Sequence, residues 1–396
     1  MRGVMEQWKK VAARACIALA GLVLAGCVGA RPDGAMCQVS SGAAMDVYNG
    51  ALAQVAQNRN LTSPEARHKR VNILALSGGG AWGAYGAGFL NGWSVRNPQL
   101  DVSRPEFDVV TGVSTGAMIA PFALLGSNYD ATIAQAFRGV ASNDLFTQRS
   151  FLGLPFWSSL KNPEPMRLEI AKALDDDAIA GLSRATAAGR TLWVGAVNFD
   201  SGGFTQFDLT RLAQSLPSQD ARNAIVQRIM AASAIPGYFP PRFIDGCMYM
   251  DGAVRENLFV SQIGGAVNSA VGGGRALKGA EVDIYVIVNG PTLPRRHLTD
   301  NTLVGVGVRG FELAADQIQL ASLREVYDYA HANGYRFYWT SADDVIAKPG
   351  EGPSADRCAA PETTTDQFTA AFTTCLFDAG QRKAMTNPTP WSTSRP

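Results

Sequence analysis

A nucleophilic serine is indicated by the stretch GVSTG at residues 112–116, in which glycines flank Ser114 on both sides. The apolar residues before it predict a strand and the residues after it predict a helix, so Ser114 falls on a strand-to-helix turn. Such a turn is sharp and strained, and Gly112 and Gly116 keep neighbouring side chains out of it. The start of the helix adds the Thr115 amide and a favourable dipole. The spacing therefore predicts a nucleophile elbow.

A glycine-rich loop lies upstream, where Gly78, Gly79 and Gly80 follow the predicted strand 71–76 and precede the predicted helix 81–93. Backbone amides of such a loop can approach a negative charge closely because no Cβ atom obstructs them. Two kinds of charge fit this pattern. One is the pyrophosphate of a dinucleotide, and the other is the oxyanion that forms when an ester carbonyl is attacked.

The dinucleotide alternative requires a second strand that ends in an acidic residue about 20 residues past the glycines. Asp101 stands at that distance, but the sequence RNPQL at residues 96–100 does not have the pattern of a strand. A nucleotide-binding fold would also leave the turn at Ser114 unexplained. We therefore interpret the loop as an oxyanion hole. Its candidate donors are the backbone amides of Gly78, Gly79, Gly80 and Thr115.

A serine hydroxyl is a weak nucleophile until a base takes its proton, and an aspartate can serve when burial raises its pKa toward working pH. Asp251 follows the apolar segment 247–250, which predicts a strand that presents the carboxylate at its end. The nearby pair Asp245-Gly246 has the pattern of a hairpin turn instead. Asp251 is therefore the candidate base.

A catalytic triad is the main alternative, because Ser114, Asp251 and His297 follow one another in the chain order of α/β-hydrolases. That fold places its elbow after several strands, whereas only two strands fit before Ser114 in this chain. His297 also lies in the polar segment PRRH, where an exposed histidine is the common outcome. His68 and His331 have less support as a base.

Four sequence blocks in one order resemble the patatin-like phospholipases. The blocks are Gly78-Gly79-Gly80-Ala81-Trp82-Gly83, Gly112-x-Ser114-x-Gly116, Ser233-Ala234-Ile235-Pro236-x-x-Phe239-Pro240-Pro241 and Asp251-Gly252-Ala253. The resemblance implies a three-layer α/β/α sandwich with a mostly parallel sheet. It also implies a Ser114–Asp251 dyad without histidine, and hydrolysis of acyl esters in lipids. One departure is Trp82, which stands where the family often has arginine or lysine.

The N-terminus has the layout of a secretory signal, with basic residues before position 15 and an almost purely apolar run over residues 15–26. That run is short for a membrane-spanning helix. It ends in Leu24-Ala25-Gly26-Cys27, which resembles the bacterial lipobox, whose cysteine is acylated. We therefore expect a signal peptide at 1–26 and a lipid anchor on Cys27, with the protein in a bacterial cell envelope. Val28 favours the outer membrane over the inner one.

Export to an oxidising compartment makes disulfides the expected state of the remaining cysteines. Cys358 and Cys375 lie in one local segment and form the first expected pair, which leaves Cys37 with Cys247. No CxxC pair or histidine-rich cluster indicates a metal site, and we expect no cofactor.

Composition excludes one class of partner, because 35 basic and 34 acidic residues in a chain of 396 give no excess charge for nucleic acid. A lipid substrate and a membrane are the partners expected instead. The alternative class of function is a catalytically idle binding lipoprotein that keeps the fold.

Strands and helices alternate along the body of the chain, which indicates a mixed α/β fold with a largely parallel sheet and some antiparallel edges. The predicted strands include 107–111, 191–199, 204–208 and 281–289, and long helices are predicted at 220–234, 302–329 and 366–379. We expect a tether over 27–60, a catalytic domain over 61–300 and a helical C-terminal extension over 301–396.

Overall fold

The computed structural model describes Cys37 and residues 70–100, 103–148, 159–260, 281–292, 299, 301–347, 352–354, 357–359, 361 and 366–396. The expected signal peptide, Cys27 and His297 lie outside these residues. Within the described part of the chain, no helix has the length and apolar character needed to cross a membrane.

The described elements alternate between strands and helices. The strands are β1 (Arg70–Leu76), β2 (Val109–Val113), β3 (Thr147–Gln148), β4 (Lys161–Asn162), β5 (Thr191–Asn198), β6 (Phe204–Asp208), β7 (Arg242–Ile244), β8 (Cys247–Asp251), β9 (Glu281–Ile287) and β10 (Arg336–Thr340). The helices are α1 (Gly83–Ser94), α2 (Thr115–Leu125), α3 (Asp130–Phe137), α4 (Ser142–Leu145), α5 (Glu164–Ala173), α6 (Asp176–Ala187), α7 (Leu209–Ser215), α8 (Ser218–Ala232), α9 (Leu303–Asn333) and α10 (Ala370–Thr386).

One sheet of eight strands forms the centre, in the order β10-β9-β1-β2-β5-β8-β7, with β6 also paired to β5. The run from β10 to β5 is parallel, whereas β6 and β8 pair with β5 in antiparallel fashion and β7 pairs with β8 in the same way. The carboxyl ends of the parallel strands therefore share one edge of the sheet, which is where open α/β folds bind ligands.

Both faces of the sheet are buried, as the side chains of β1 show, because they point alternately to the two faces. Leu74 and Leu76 join the larger apolar core with helices α1, α2, α6, α8 and α10, whereas Ile73 and Ala75 join a second core on the opposite face. The second core is closed by Leu323 of α9 and its neighbours on that helix. This is a three-layer α/β/α arrangement with a mostly parallel sheet, and the predicted fold class is confirmed.

The C-terminal segment is part of the α/β fold, because it contributes a strand to the main sheet and a helix that packs against α1. Residues 336–340 form edge strand β10, which pairs with β9 in parallel. Helix α10 packs against α1 at a close approach, because a Cβ atom at Gly88 would lie 1.9 Å from the carbonyl oxygen of Phe377. The missing side chain of Gly88 therefore admits a second helix.

Both expected disulfides are present. Cys37 is bonded to Cys247 of β8, and Cys358 is bonded to Cys375 of α10. The second bond ties α10 to the segment after β10, where Cys358 also exchanges backbone hydrogen bonds with Val345 and Ala347.

Loss of the Cys358–Cys375 disulfide should destabilise the protein, because the cross-link restricts the unfolded chain. We expect the double variant Cys358→Ser/Cys375→Ser to lose about 2–4 kcal/mol in the free energy of unfolding, measured by denaturant titration. Alkylation of the denatured wild-type protein before reduction should leave both cysteines unmodified in peptide mass spectra. Full alkylation of Cys358 and Cys375 without reduction would contradict the assignment.

Candidate active site

Ser114 occupies a sharp turn between β2 and α2. Its backbone has φ 52° and ψ −123°, a conformation that L-residues with a side chain rarely adopt. A Cβ atom at Gly112 would lie 2.4 Å from the carbonyl oxygen of Gly116, so the turn closes only with glycine there. Strand β2 extends to Val113, two residues beyond the predicted strand end, because Val113 still pairs with Gly195 of β5.

Strand β5 places Asp251 beside this turn. Val113 is registered opposite Gly195, and Asp251 is registered opposite the next residue, Ala196. Since β6 takes up the other edge of β5 over residues 193–197, strand β8 continues along the edge where β2 ends. Two segments far apart in sequence therefore meet at one position of the sheet, with the serine at the end of one and the aspartate at the end of the other.

The end of helix α8 forms hydrogen bonds with the backbones of both Ser114 and Asp251. The Ser114 amide donates to the carbonyl oxygen of Ala232 at 3.0 Å, and the Asp251 amide donates to that of Ala234 at 2.9 Å. The hydroxyl of Ser233, between them, donates to the carbonyl oxygen of Ser114 at 3.1 Å. The end of α8 thus fixes the backbones of both candidate catalytic residues.

The Asp251 carboxyl group is 1% exposed, and its burial raises its pKa from the usual 3.8 to about 7. The Ser114 hydroxyl and the Ala253 amide, which donates to Oδ1 at 2.9 Å, offset part of that rise. Oδ2 has no well-aligned hydrogen-bond donor among the described residues. A loose contact between nucleophile and base is common before substrate binds. The carboxyl group is therefore poised to exchange a proton near neutral pH.

Histidine takes no part in the described site. His331, the one described histidine, lies exposed near the end of α9 and stacks on Tyr327. It lines neither cavity beside Ser114. His68 and His297 lie outside the described residues.

The glycine loop presents fewer donors than the sequence suggested. The Gly78 amide donates to Oδ1 of Asn257 at 2.7 Å, so it is already engaged and cannot stabilise an oxyanion. Among the described residues, no acceptor is found for the amides of Gly79, Gly80 or Thr115. The Thr115 hydroxyl donates to the carbonyl oxygen of Gly80 at 2.8 Å and holds the loop against the elbow. These three amides are the available donors.

Two asparagines that sequence reasoning missed support this loop. Asn289, two residues beyond the end of β9, donates from its side chain to the carbonyl oxygen of Ser77 at 2.6 Å, and it is fully buried. A Cβ atom at Gly79, where φ is 157°, would lie 1.7 Å from the Asn289 carbonyl oxygen. Asn257 in turn donates to Gln319 of α9 at 3.1 Å. A lone polar residue directly after a buried strand was the available signal for Asn289.

Trp82 connects the loop to the C-terminal segment. Its indole nitrogen donates to Gln367 at 3.1 Å, and its ring packs edge-on against Phe372 of α10 at 5.1 Å between centroids. Trp82 is 6% exposed. It therefore acts as a packing anchor for the loop and carries no charge to the site.

A cavity with two arms opens at Ser114. The larger arm has a volume of about 540 Å³ and runs between α2, α3 and α5 over mainly apolar side chains, including Met118, Phe137 and Ile170. The smaller arm has a volume of about 210 Å³ and runs toward α9. Ser114 and Gly80 line both arms, so a group bound at the serine has an apolar space on one side and a second space on the other.

The described residues offer one group of three potential metal ligands, Cys37, Asp200 and Cys247. Two of its members are joined in a disulfide, and a disulfide sulfur is not the thiolate that binds metals. The group lies on neither arm of the cavity.

Comparison with known proteins identifies the domain. The family model described as patatin-like phospholipase matches residues 74–262, a range that contains Ser114, Asp251 and the glycine loop. Among solved structures, VipD from Legionella pneumophila matches at 12% identity and a TM-score of 0.30, over 79% of this chain and 67% of that chain. No curated protein matches the sequence. Residues 74–262 therefore form a patatin-like phospholipase domain.

Proposed function

We propose that this protein is a serine lipid acyl hydrolase that cleaves carboxylic ester bonds of phospholipids or related lipids through a Ser114–Asp251 dyad. The observation that carries the proposal is the register on β5, which sets a buried carboxyl group with a pKa of about 7 beside a serine on a nucleophile elbow. The match of residues 74–262 to the patatin-like phospholipase family supports lipid acyl hydrolysis in general.

In the first half of the reaction, Asp251 takes the proton of the Ser114 hydroxyl while the oxygen attacks the ester carbonyl. The negative charge that develops on the carbonyl oxygen faces the amides of Gly79, Gly80 and Thr115 and the start of helix α2. Collapse of the tetrahedral intermediate breaks the bond to the alcohol, which leaves with the proton from Asp251. The acyl group remains on Ser114.

In the second half, water replaces the alcohol. Asp251 takes a proton from the water as its oxygen attacks the acyl carbonyl, and the same amides stabilise the second tetrahedral intermediate. Release of the fatty acid returns the proton to Ser114. A single carboxyl group serves as base and acid in both halves, which requires a pKa near the working pH.

The larger arm supports a substrate with a long acyl chain. Its lining is mainly apolar, and its volume of about 540 Å³ lies within the usual range for ligand pockets. An acyl chain placed there would have its ester carbonyl at Ser114 and Gly80, which line the near end of the arm.

We expect the variants Ser114→Ala and Asp251→Asn each to lose about 10³-fold or more in kcat/KM on a short-chain p-nitrophenyl ester, because the two residues act as one unit. His297→Ala should stay within about a few-fold of wild type, since the dyad has no imidazole base. In the triad alternative, His297→Ala would be as inactive as Ser114→Ala. In the idle-protein alternative, wild type itself would show no turnover.

The melting temperature of Asp251→Asn shows whether a loss of activity in this variant comes from misfolding. Asparagine at position 251 keeps an acceptor for the Ala253 amide and removes a buried charge. Because the folded pKa of about 7 lies above the usual 3.8, the folded state loses stability relative to the unfolded chain as pH rises between these values. The melting temperature of Asp251→Asn at pH 8 should therefore equal or exceed that of wild type.

The pH dependence follows from the protonation state that the mechanism requires. Asp251 must be ionised to act as base, so kcat/KM should fall about tenfold per pH unit below an inflection near pH 7. Initial rates would be taken from quenched samples read at one alkaline pH, which removes the titration of the released phenol. An inflection near pH 4 would show that Asp251 has an ordinary pKa and would contradict the proposed base.

We also propose that the protein is lipid-anchored through Cys27 in a bacterial cell envelope, with the outer membrane favoured by Val28. The Cys27→Ser variant should move from the membrane fraction to the periplasmic fraction of cells, because an acylated cysteine supplies the anchor. A neighbouring serine variant, Ser40→Ala, provides a control that leaves the lipobox intact. Unchanged membrane association of Cys27→Ser would exclude this anchor.

A further inference from the structure

The N-terminal part of the chain is attached to the main sheet at two points, which lie at opposite ends of the strands. Strand β1 begins at Arg70, at the amino end of the parallel strands. Cys37 is bonded to Cys247, the first residue of β8. Because β8 runs antiparallel to β5, its first residue lies at the carboxyl end of the parallel strands. The disulfide therefore fixes the chain first at the end of the sheet that holds Ser114.

The two attachment points are far apart along the strand direction. The strand registers place Leu76 of β1 level with Val194 of β5, and Asn198 of β5 opposite Tyr249 of β8. The path from the start of β1 to the start of β8 covers six positions of β1, four of β5 and two of β8. At about 3.3 Å per residue, the two points are about 40 Å apart.

The disulfide also shortens the link between the fold and the proposed lipid anchor. Cys27 precedes Cys37 by ten residues, whereas it precedes the start of β1 by 43 residues. Ten residues span at most about 33–36 Å, and only when they are fully extended. A domain that rested on the membrane with the amino end of its sheet would need this link to be almost fully extended, at a cost in conformational entropy. The link therefore favours orientations in which the carboxyl end faces the bilayer.

An aromatic side chain is exposed beside the disulfide. Phe199 directly follows the last residue of β5 and is 42% exposed. Its amide donates at 2.8 Å to the carbonyl oxygen of Met248, the chain neighbour of Cys247. Phenylalanine, tryptophan and leucine are side chains that surface-bound proteins commonly insert into the outer layer of a membrane. The attachment point thus carries an apolar group suited to a lipid surface.

The first part of helix α9 projects from the same end of the sheet. The helix lies between the parallel strands β9 and β10 in the chain, so it runs antiparallel to them. Gln319 donates to the carbonyl oxygen of Pro291, four residues beyond the end of β9. Val306 and Leu313 are 56% and 43% exposed. At 1.5 Å per residue they lie about 9–20 Å farther out than Gln319, and they add apolar surface at this end.

We propose that the Cys37–Cys247 disulfide turns the carboxyl end of the sheet, with Ser114, toward the bilayer that holds the Cys27 anchor, and that this end contacts the lipid surface. The inference rests on the proposed anchor and on the proposed hydrolysis of lipids. Without the disulfide, the first point fixed to the fold is the start of β1, at the opposite end of the sheet. With it, the enzyme acts on lipids of the membrane that carries it.

Photo-crosslinking measures this orientation without turnover. p-Benzoylphenylalanine is placed at position 201, in the turn after Phe199, or at position 99, in the loop between α1 and β2 at the amino end of the sheet. Ser201 and Gln99 are both exposed. The lipidated full-length protein is bound to vesicles of phosphatidylethanolamine and phosphatidylglycerol. Position 201 should crosslink to lipid at least about tenfold more than position 99, because the short link keeps position 99 away from the bilayer.

A matched pair of insertions changes the reach of the anchor in one protein and leaves it unchanged in the other. A Gly/Ser linker of about 20 residues between Asp33 and Gly34 lengthens the link to Cys37 about threefold, whereas the same linker between Ser41 and Gly42 lies beyond Cys37. Effective concentration falls roughly as the −3/2 power of linker length, so the first insertion should lower hydrolysis of vesicle lipid about fivefold. It should also allow crosslinking at position 99. The second insertion should match wild type in both measurements.

The disulfide itself is tested with two double variants. Cys37→Ser/Cys247→Ser should behave like the first insertion, because its link to the fold runs to the start of β1. Cys358→Ser/Cys375→Ser loses the other disulfide and should keep the wild-type crosslinks. Turnover of the soluble p-nitrophenyl ester shows for each protein that the active site is folded.

Three outcomes distinguish this inference from the proposals on which it rests. Equal crosslinking at positions 201 and 99, or an unchanged pattern after insertion before Cys37, would overturn the orientation, and continued hydrolysis of the p-nitrophenyl ester would leave the proposed function standing. Crosslinking at position 201 alone by a protein that cleaves no ester would contradict the proposed function and keep the orientation. Mass spectra that show no acyl group on Cys27 would contradict both the anchor and the orientation.

Discussion

The candidate active site depends on strand β5, which pairs with two different strands along the same edge. Strand β5 pairs in parallel with β2 and then, from the next residue onward, in antiparallel fashion with β8. At that change of partner β2 ends at Val113 and β8 brings in Asp251, so the elbow and the carboxylate lie side by side. Since Ser114 has a positive φ, the strained turn is held by the pairing of Val113 with Gly195 and by the hydrogen bond from the Ser114 amide to Ala232.

Burial of Asp251 affects both the stability of the fold and the strength of the carboxylate as a base. An ionised carboxylate is costly in a site 1% exposed to solvent, and among the described residues the Ala253 amide and the Ser114 hydroxyl are the groups that compensate for the lost water. The same cost raises the pKa to about 7, which makes the group an effective base at neutral pH. A second aligned donor to Oδ2 would stabilise the fold and lower the pKa, and it would thereby weaken the base.

Local sequence patterns were sufficient to predict the elbow. Strand, glycine, serine, glycine and helix are adjacent in the chain, so periodicity and turn chemistry place Ser114 on its turn. Asp251 could be selected because it ends an apolar segment. The two disulfides followed from the even number of cysteines and from an expected compartment. The layered fold followed from the alternation of strands and helices together with the family resemblance.

Features set by long-range contacts were not predictable in the same way. No local pattern reveals that the Gly78 amide is engaged by Asn257, because the bond joins positions 179 apart in the chain. The place of β10 in the main sheet was not predicted, because its pairing with β9 joins positions that are 53 apart in the chain, such as Arg336 and Asp283. The role of Trp82 was missed because its partners Gln367 and Phe372 lie near the other end of the chain.

Activation of Ser114 by Asp251 can be measured through covalent labelling with an alkyl fluorophosphonate. We expect one adduct per chain, located by peptide mass spectrometry on Ser114, with a labelling rate that falls below pH 7. Folded Asp251→Asn protein should be labelled more slowly by about 10²-fold or more. An adduct on a different serine, or equal labelling rates for wild type and Asp251→Asn, would show that Asp251 does not activate Ser114.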